Sequence, residues 1–168
     1  MILETERLRL RKLALDDADF ILRLLNEPSF IQNIGDRGVR TIDDARSYIL
    51  QGPVATYEKF GFGIWLVEMK DSGAPVGMCG LLKRDVLEDV DIGYAFLPEF
   101  WSRGYAIESA SAVMSYAKEK LGLKRVVAVT NADNRSSIRL LAKIGFEYEK
   151  MVRLSEDAPE IKLFAADV

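Results

Sequence analysis

The hydrophobic positions of the chain fall into short runs that predict β-strands. The first run, residues 5–13, alternates basic and apolar side chains, which is typical of a half-exposed strand. Residues 60–70 are apolar almost throughout, as in an interior strand. In a further run, alternation places Ile92 and Tyr94 on one face and Asp91 on the other. Seven strands are predicted, and they cover residues 5–13, 60–70, 76–85, 90–97, 124–130, 146–154 and 160–167.

Four further segments carry the start and stop signals of helices. Asp16 or Asp17 starts the first helix, and Pro28 follows its end. Thr41 starts the second, whereas residues 30–40 between the two contain glycines and predict an irregular connection. The third and fourth helices are predicted within residues 105–121 and 131–146, and Asp133 or Asn134 is expected to cap the fourth.

Length and composition fit a single domain over residues 1–168. Hydrophobic residues make up 49% of the chain and charged residues 29%, which supplies enough apolar surface for one core. The order of strands and helices predicts an α/β fold with a mixed sheet and helices on both faces. The net charge of -3 argues against a nucleic-acid partner, because such proteins usually carry a basic excess. No apolar run approaches the roughly 18 residues of a membrane span, and residues 1–13 do not resemble a signal peptide. We therefore predict a cytoplasmic protein with no membrane partner.

The chain contains one cysteine and no histidine, and this limits its chemistry. Without histidine there is no Ser-His-Asp or Cys-His nucleophile and no His-ligated zinc, and we expect no metal cofactor. A general acid or base must then come from Asp, Glu, Tyr, Lys, Ser, Cys or water. Cys79 lies in an apolar run and is predicted to be a buried core thiol.

The turn from Trp101 to Ala106 joins a predicted strand to the third helix and has Gly104 near its centre. A helix N-terminus presents N–H groups without intrahelical partners at the positive end of the helix dipole, so it can bind phosphate. Gly104 permits close approach of a ligand, and Arg103 adds a positive charge. By itself, a glycine at a helix start more often serves only the turn. The dinucleotide and P-loop glycine motifs are both absent.

Two motifs and the opening residues give the chain a family resemblance. The segment IGYAFLPEFWSRGYAIESA precedes and opens the third helix, and LETERLRLRKL opens the chain. The second motif is Asn-x-x-Ser-Ile-Arg followed by Lys-x-Gly-Phe, at Asn134, Ser137, Ile138, Arg139, Lys143, Gly145 and Phe146. With these features the chain resembles the GCN5-related N-acetyltransferase superfamily, in its RimJ/RimL-like branch, over nearly its whole length.

The resemblance implies a mostly antiparallel sheet of about seven strands that is splayed between the fourth and fifth. Acetyl-CoA would bind as a co-substrate in this opening, with its pyrophosphate on the turn amides and its pantetheine arm along the fourth strand. Two positions depart from the family pattern, since Trp101 replaces a Gln or Arg and Ser102 a frequent Gly. The implied cofactor-binding residues are Phe96, Leu97, Trp101, Ser102, Arg103, Gly104, Tyr105, Ala106, Asn134 and Arg139.

Catalytic candidates follow from the resemblance and from the lack of histidine. Many members use a tyrosine of the last helix to protonate the thiolate, but the matching residue here is Leu141. Ser137 matches a serine that this branch offers near the sulfur, although it could equally support the helix start. Tyr94 and Tyr105 are lesser donor candidates, and packing in the core is the alternative for each. Asp91 is the candidate base, and a solvated surface carboxylate is the alternative.

The resemblance implies an enzyme that moves the acetyl group of acetyl-CoA to a primary amine by direct transfer in a ternary complex. The acceptor would be a protein N-terminal amine or a small-molecule amine. Homodimers are common in the superfamily, and the sequence does not fix an interface. A non-catalytic acyl-CoA-binding or regulatory module of the same fold is the alternative, because the usual tyrosine is missing.

Overall fold

A computed structural model describes all residues 1–168, and its eight strands form one sheet. The strands are β1 (Leu3–Glu4), β2 (Leu8–Arg11), β3 (Ile64–Met69), β4 (Pro75–Leu82), β5 (Asp91–Phe96), β6 (Arg125–Thr130), β7 (Glu147–Val152) and β8 (Ile161–Asp167). The helices are α1 (Ala18–Leu25), α2 (Pro28–Asn33), α3 (Ile42–Ile49), α4 (Ala55–Phe60), α5 (Tyr105–Glu119) and α6 (Arg135–Lys143).

The sheet is mostly antiparallel, in the order β1-β2-β3-β4-β5-β6-β8-β7. Only β5 and β6 pair in parallel, and α5 is the crossover between them. All seven predicted strands are present, and the predicted mixed sheet is confirmed. The eighth strand, β1, is a two-residue addition in which Leu3 pairs with Leu10 and Glu4 with Arg9.

Two helices lie where the sequence predicted none. α1 ends at Leu25, so Pro28 follows its end as predicted, but Pro28 also occupies the first turn of α2, where its missing N–H costs nothing. The prediction of an irregular segment over residues 30–40 is therefore wrong for residues 30–33. Beyond α3, a wide π-type turn over Leu50–Val54 accommodates Pro53 and leads directly into α4. Gly61 ends α4 in the left-handed conformation, with φ 79°.

Hydrophobic cores cover both faces of the sheet. On one face Ile92 and Phe96 of β5 pack in a cluster with Val113 and Ala117 of α5. On the other face Leu97, which follows β5, packs with residues of α1 and α3. The predicted alternation along β5 is therefore confirmed, and consecutive side chains of this strand point to opposite sides of the sheet.

The sheet splits between β5 and β6. These strands pair only at Asp91 and Val127, and the N–H of Val127 donates to the carbonyl of Val90 at 2.9 Å. Beyond this point each strand bonds only to its outer neighbour, β5 to β4 and β6 to β8. The predicted splay between the fourth and fifth predicted strands, which are β5 and β6 here, is therefore present.

Candidate active site

A cleft of about 1160 Å³ occupies the split in the sheet. Asp91 lies where the two strands still pair, and Phe96 lies at the open end of β5. At about 3.3 Å per residue these two positions are roughly 17 Å apart, so the opening can hold an extended ligand. Residues of α2, α5 and α6 line the cleft together with both separated strands. The cleft therefore reaches both faces of the sheet.

The turn before α5 presents an unusual run of free backbone donors. None of the N–H groups of residues 102–107 has a backbone acceptor, whereas the N–H of Glu108 donates to the carbonyl of Gly104 at 3.0 Å. Ser102 and Gly104 both take positive φ values, 60° and 84°. This conformation is costly for serine and leaves the amides exposed at the helix N-terminus, which is the arrangement that binds anions.

Arg7 and Glu108 hold this turn against the start of β2. Oε1 of Glu108 accepts from the Arg7 N–H at 2.8 Å and from the Thr5 hydroxyl at 2.6 Å, while Oε2 accepts from Arg7 Nε at 2.7 Å. Arg7 Nη1 also donates to the carbonyl of Arg103 at 3.0 Å, and its guanidinium lies 4.5 Å from the ring centre of Tyr105. Partial burial raises the pKa of Glu108, but the bonds from Thr5 and Arg7 outweigh this and lower it overall.

Tyr94 and Ser137 form a hydrogen bond between β5 and α6, with their hydroxyl oxygens 2.6 Å apart. Both residues line the cleft, and burial raises the pKa of Tyr94 to about 12. Asn134 caps α6 by accepting the N–H of Ser137 on Oδ1 at 3.3 Å, so its amide NH₂ stays available to a ligand. The predicted helix cap is confirmed, and the tyrosine is brought to the serine that the sequence singled out.

Asp91 lies at the vertex of the split and is only 1% exposed. Arg84, just beyond β4, donates from Nε to both carboxylate oxygens, at 3.2 and 3.3 Å. Burial raises the pKa of Asp91 to about 6, although the neighbouring Arg84 opposes this rise. The alternative of a solvated surface carboxylate is therefore wrong. A carboxylate whose pKa lies close to neutral pH can exchange a proton with a bound amine.

The other predicted site residues divide into two groups. Phe96, Trp101, Ser102, Gly104, Tyr105, Ala106, Asn134 and Arg139 line the cleft. Leu97 and Arg103 do not line the cleft. The Leu97 side chain is buried beneath α1, and its N–H donates to the carbonyl of Val76 at 3.0 Å. Arg103 takes part through its carbonyl, which accepts from Arg7. The Trp101 indole N–H donates to the carbonyl of Phe96 at 2.9 Å.

The hydrogen-bond pattern of β5 shows which of its backbone groups are left free along the split. Because the carbonyl of Val90 points toward β6 and the N–H of Leu97 points toward β4, the backbone groups of Tyr94 and Phe96 point into the split by alternation. No strand pairs with them there. An extended ligand with amide groups can therefore bind along β5 as an added strand.

Two features of the site were not predicted from the sequence. Arg7 lies in an alternating basic strand, a pattern that indicated only a half-exposed surface. Lys83 and Arg84 follow directly on the apolar run of β4, and the pairing of Leu82 with Asp91 places them beside the vertex of the split. The sequence signal that could have indicated their role is a pair of basic residues at the end of a buried strand. Cys79 behaves as predicted, because it is fully buried and burial raises its pKa to about 12.

Neither a cluster of metal ligands nor a membrane-spanning helix is present. No group of three or more His, Cys, Asp or Glu side chains is placed to hold a metal ion. None of the helices combines the length and apolar character needed to cross a bilayer.

Residues 7–147 match the family model of the acetyltransferase (GNAT) domain. The chain belongs to the GNAT acetyltransferase family. This membership explains the combination of a split sheet and a turn of free amides at the start of α5.

Similar proteins support the assignment. This GNAT chain is 35% identical over 153 residues to the uncharacterized N-acetyltransferase YoaA of Bacillus subtilis, with 90% of this chain and 86% of YoaA covered. It is 27% identical to FsC-acetyl coenzyme A-N(2)-transacetylase of Aspergillus fumigatus, covering 94% of this chain and 69% of that protein. The structure of RimL, a ribosomal-protein α-N-acetyltransferase in complex with coenzyme A, superimposes with a TM-score of 0.85 over 99% of this chain and 97% of RimL, at 17% identity. The last likeness shows the fold.

Proposed function

We propose that this GNAT protein, a single domain over residues 1–168, transfers the acetyl group of acetyl-CoA to a primary amine. The observation that carries the proposal is the run of unpartnered backbone N–H groups at residues 102–107, at the open end of a split sheet. A diphosphate satisfies such donors at a helix N-terminus. Two of the similar proteins are named for coenzyme A chemistry, which supports the same ligand. We also propose that the chain belongs to the RimJ/RimL-like branch of the family. We further propose that the protein is cytoplasmic.

The donor enters on the face of the sheet that carries α5 and α6. The diphosphate would bind to the turn amides, and Arg139 and Lys143 of α6 also line the cleft. The pantetheine arm would lie along the free edge of β5, within reach of the Asn134 amide. This places the thioester in the middle of the cleft, beside Tyr94 and Ser137.

The acceptor enters from the opposite face, because Asp91 alternates with Ile92 and points away from α5. Asp91 takes a proton from the ammonium group, and the neutral nitrogen attacks the thioester carbonyl carbon. The C–S bond breaks, and the proton that the attacking nitrogen must lose to become an amide passes to the departing thiolate through the hydrogen-bonded hydroxyls of Ser137 and Tyr94, so both hydroxyls end the cycle protonated. A free N–H on the open edge of β5 can polarise the carbonyl oxygen. We propose direct transfer in a ternary complex, and the only cysteine is fully buried and so not placed to carry the acetyl group.

The experiment that tests the proposal combines binding with turnover. Coenzyme A is titrated into the protein by calorimetry, and release of free thiol from acetyl-CoA is then followed with a panel of amines. Saturable binding together with amine-dependent thiol release is expected. Binding without thiol release over a broad panel would favour a non-catalytic acyl-CoA-binding module, and absence of binding would overturn the whole proposal.

Arg7 clamps the turn through its bonds to Glu108 and to the Arg103 carbonyl, and removing this clamp should weaken coenzyme A binding. We expect Arg7→Met to raise the Kd about three- to tenfold, because the turn loses its bonds to Arg7 and samples other conformations. Arg9→Met is the matched control, since Arg9 pairs with Glu4 and Glu68 away from the turn. Calorimetry should show a changed Kd for the first variant only. Equal Kd values for both variants and the wild type would contradict the role of the clamp.

Tyr94→Phe and Ser137→Ala should each lower kcat about five- to tenfold without changing the KM for acetyl-CoA. The effect is modest because a thiol with a pKa of about 8.5 is already a good leaving group. The double variant should lose no more than the single ones, since the two hydroxyls act as one unit. Tyr148→Phe, at an exposed position of β7, is the control. Independent, multiplicative losses in steady-state kinetics would contradict a shared relay.

A further inference from the structure

The charges that line the cleft are strongly unequal. A single carboxylate, Asp91, reaches its surface. The cationic side chains on the lining are Arg37, Lys83, Arg84, Arg139 and Lys143. Two of them lie on α6, on the face of the sheet assigned to coenzyme A. Lys83 and Arg84 lie beside Asp91 at the vertex, so this part of the cleft is positive although the whole chain carries a net charge of -3.

Two of the acceptor-side cations keep free hydrogen-bond donors. Lys83 Nζ donates to the carbonyls of Arg84 and Leu87 and has no acidic partner, so one of its three donors remains. Arg84 uses only Nε on Asp91, and its two terminal nitrogens have no partner in the protein. A guanidinium with both terminal nitrogens free can bind a carboxylate or phosphate with two parallel bonds.

The pairing of Asp91 with Arg84 sets a negative and a positive group side by side at the vertex. An amine that carries an anionic group near its nitrogen presents the complementary pair. Its ammonium would meet Asp91, while its carboxylate or phosphate would meet the free nitrogens of Arg84 and the remaining donor of Lys83. A polyamine would instead bring several positive charges to two cations and one carboxylate, which is unfavourable.

We infer that the acceptor is a small amine with a carboxylate or phosphate close to the amino group, bound through Arg84 and Lys83. The inference rests on the proposed function and names the acceptor class for that site. A second hollow, which shares Thr56, Lys83 and Arg84 with the cleft, adds one further cation, Lys59, and one carboxylate, Asp85. Cations therefore outnumber carboxylates at this neighbouring surface as well.

Matched acceptor pairs test this directly. Amino acids are compared with their amides, O-phosphoethanolamine with ethanolamine, and spermidine is included, with thiol release from acetyl-CoA as the readout. We expect kcat/KM for the amine with the anionic group to exceed that of its partner without this group at least tenfold in one series. The series that shows the difference identifies the anionic group as a carboxylate or a phosphate. Faster transfer to spermidine or to the uncharged partners would overturn the inference.

A charge variant separates specific recognition from general attraction. Lys83→Met should raise the KM for the preferred anionic amine about five- to tenfold and raise that of the partner without the anionic group much less. Lys118→Met removes the same charge from the exposed face of α5, outside the cleft, and should change neither. An equal effect of Lys83→Met on both partners, or an equal effect of both variants, would contradict the assignment.

Binding provides a second readout that does not need turnover. If no amine in the panel is acetylated, the same pairs are titrated into the protein–coenzyme A complex by calorimetry. Tighter binding of the anionic members supports the inference, and equal or weaker binding overturns it while the proposed function stands. Failure of coenzyme A itself to bind would overturn the proposed function, and the inference with it.

Discussion

Asp91→Asn should lower kcat/KM for acetyl transfer about 10²- to 10⁴-fold, the range expected when a general base is removed. Asparagine keeps the size of the side chain but cannot accept the ammonium proton. The side chain is buried at the vertex of the split, so bulk water cannot readily replace it. Steady-state kinetics with a preferred amine measures the loss, and an activity within threefold of the wild type would contradict the role.

The pH dependence of activity distinguishes a base from a structural carboxylate. Because the pKa of Asp91 is about 6, kcat/KM of the wild type should fall as the pH drops below about 6. The charged groups that face Asp91 are Arg84 and Lys83, and both favour its ionised form. Arg84→Gln should therefore move the acidic limb to higher pH, whereas Asp91→Asn should abolish it. A limb that stays in place in both variants would assign the titration to another group.

The buried Asp91 carboxylate should lower the stability of the folded protein at neutral pH. The pKa of Asp91 rises from 3.8 to about 6 on folding, so the folded state binds its proton more tightly. Its contribution to stability is present below about pH 4 and is lost as the pH rises through 6. Between pH 4 and 7.5 the wild type should lose roughly 2–3 kcal/mol of unfolding free energy relative to Asp91→Asn. Urea unfolding at the two pH values measures this difference, and the opposite sign would contradict burial as the dominant cause.

Gly104→Ala should raise the Kd for coenzyme A about 10- to 100-fold. Gly104 has φ 84°, where a β-carbon costs about 1–2 kcal/mol, and the new atom would also lie 3.2 Å from Arg7 Nη2. The turn can relieve this strain only by moving the amides of residues 102–107, which are proposed to bind the diphosphate. Calorimetric titration with coenzyme A measures the change.

Gly122→Ala is the matched control for this variant. Gly122 also has positive φ, 65°, and follows the C-terminus of α5, and a β-carbon added there would have no atom within 4 Å. Both variants should lose similar unfolding free energy, but only Gly104→Ala should lose affinity. If both variants lose affinity equally, the effect reflects general destabilisation and the turn has no special role.

Features of this fold that depend on local signals could be predicted from the sequence. The alternation along β5, the cap at Asn134 and the glycine turn before α5 are set by neighbouring residues, and the structure shows each of them. Pro28 follows the end of α1 as predicted, but it also begins α2, a short helix that the glycine-containing residues 30–40 did not indicate. Pro53 is unfavourable inside a regular helix, yet a wide turn accommodates it.

Features of the site that depend on distant residues could not be predicted in this way. Glu108 contacts Arg7 across 101 positions of the chain, and Tyr94 reaches Ser137 across 43. The state of Asp91 depends on its burial and on Arg84, and neither is visible in the residues around it. The sequence therefore indicated the residue types of the site, whereas their charges and partners required the folded chain.

Amide chemical shifts measured during a titration with coenzyme A test the central claim most directly. In ¹H–¹⁵N spectra, the largest changes should fall on residues 102–107 and on Tyr94 and Phe96 at the free edge of β5. The amides of β7, at the far edge of the sheet, should change little. Saturable shifts confined to another surface, or no shifts at residues 102–107, would contradict coenzyme A binding in the split of the sheet.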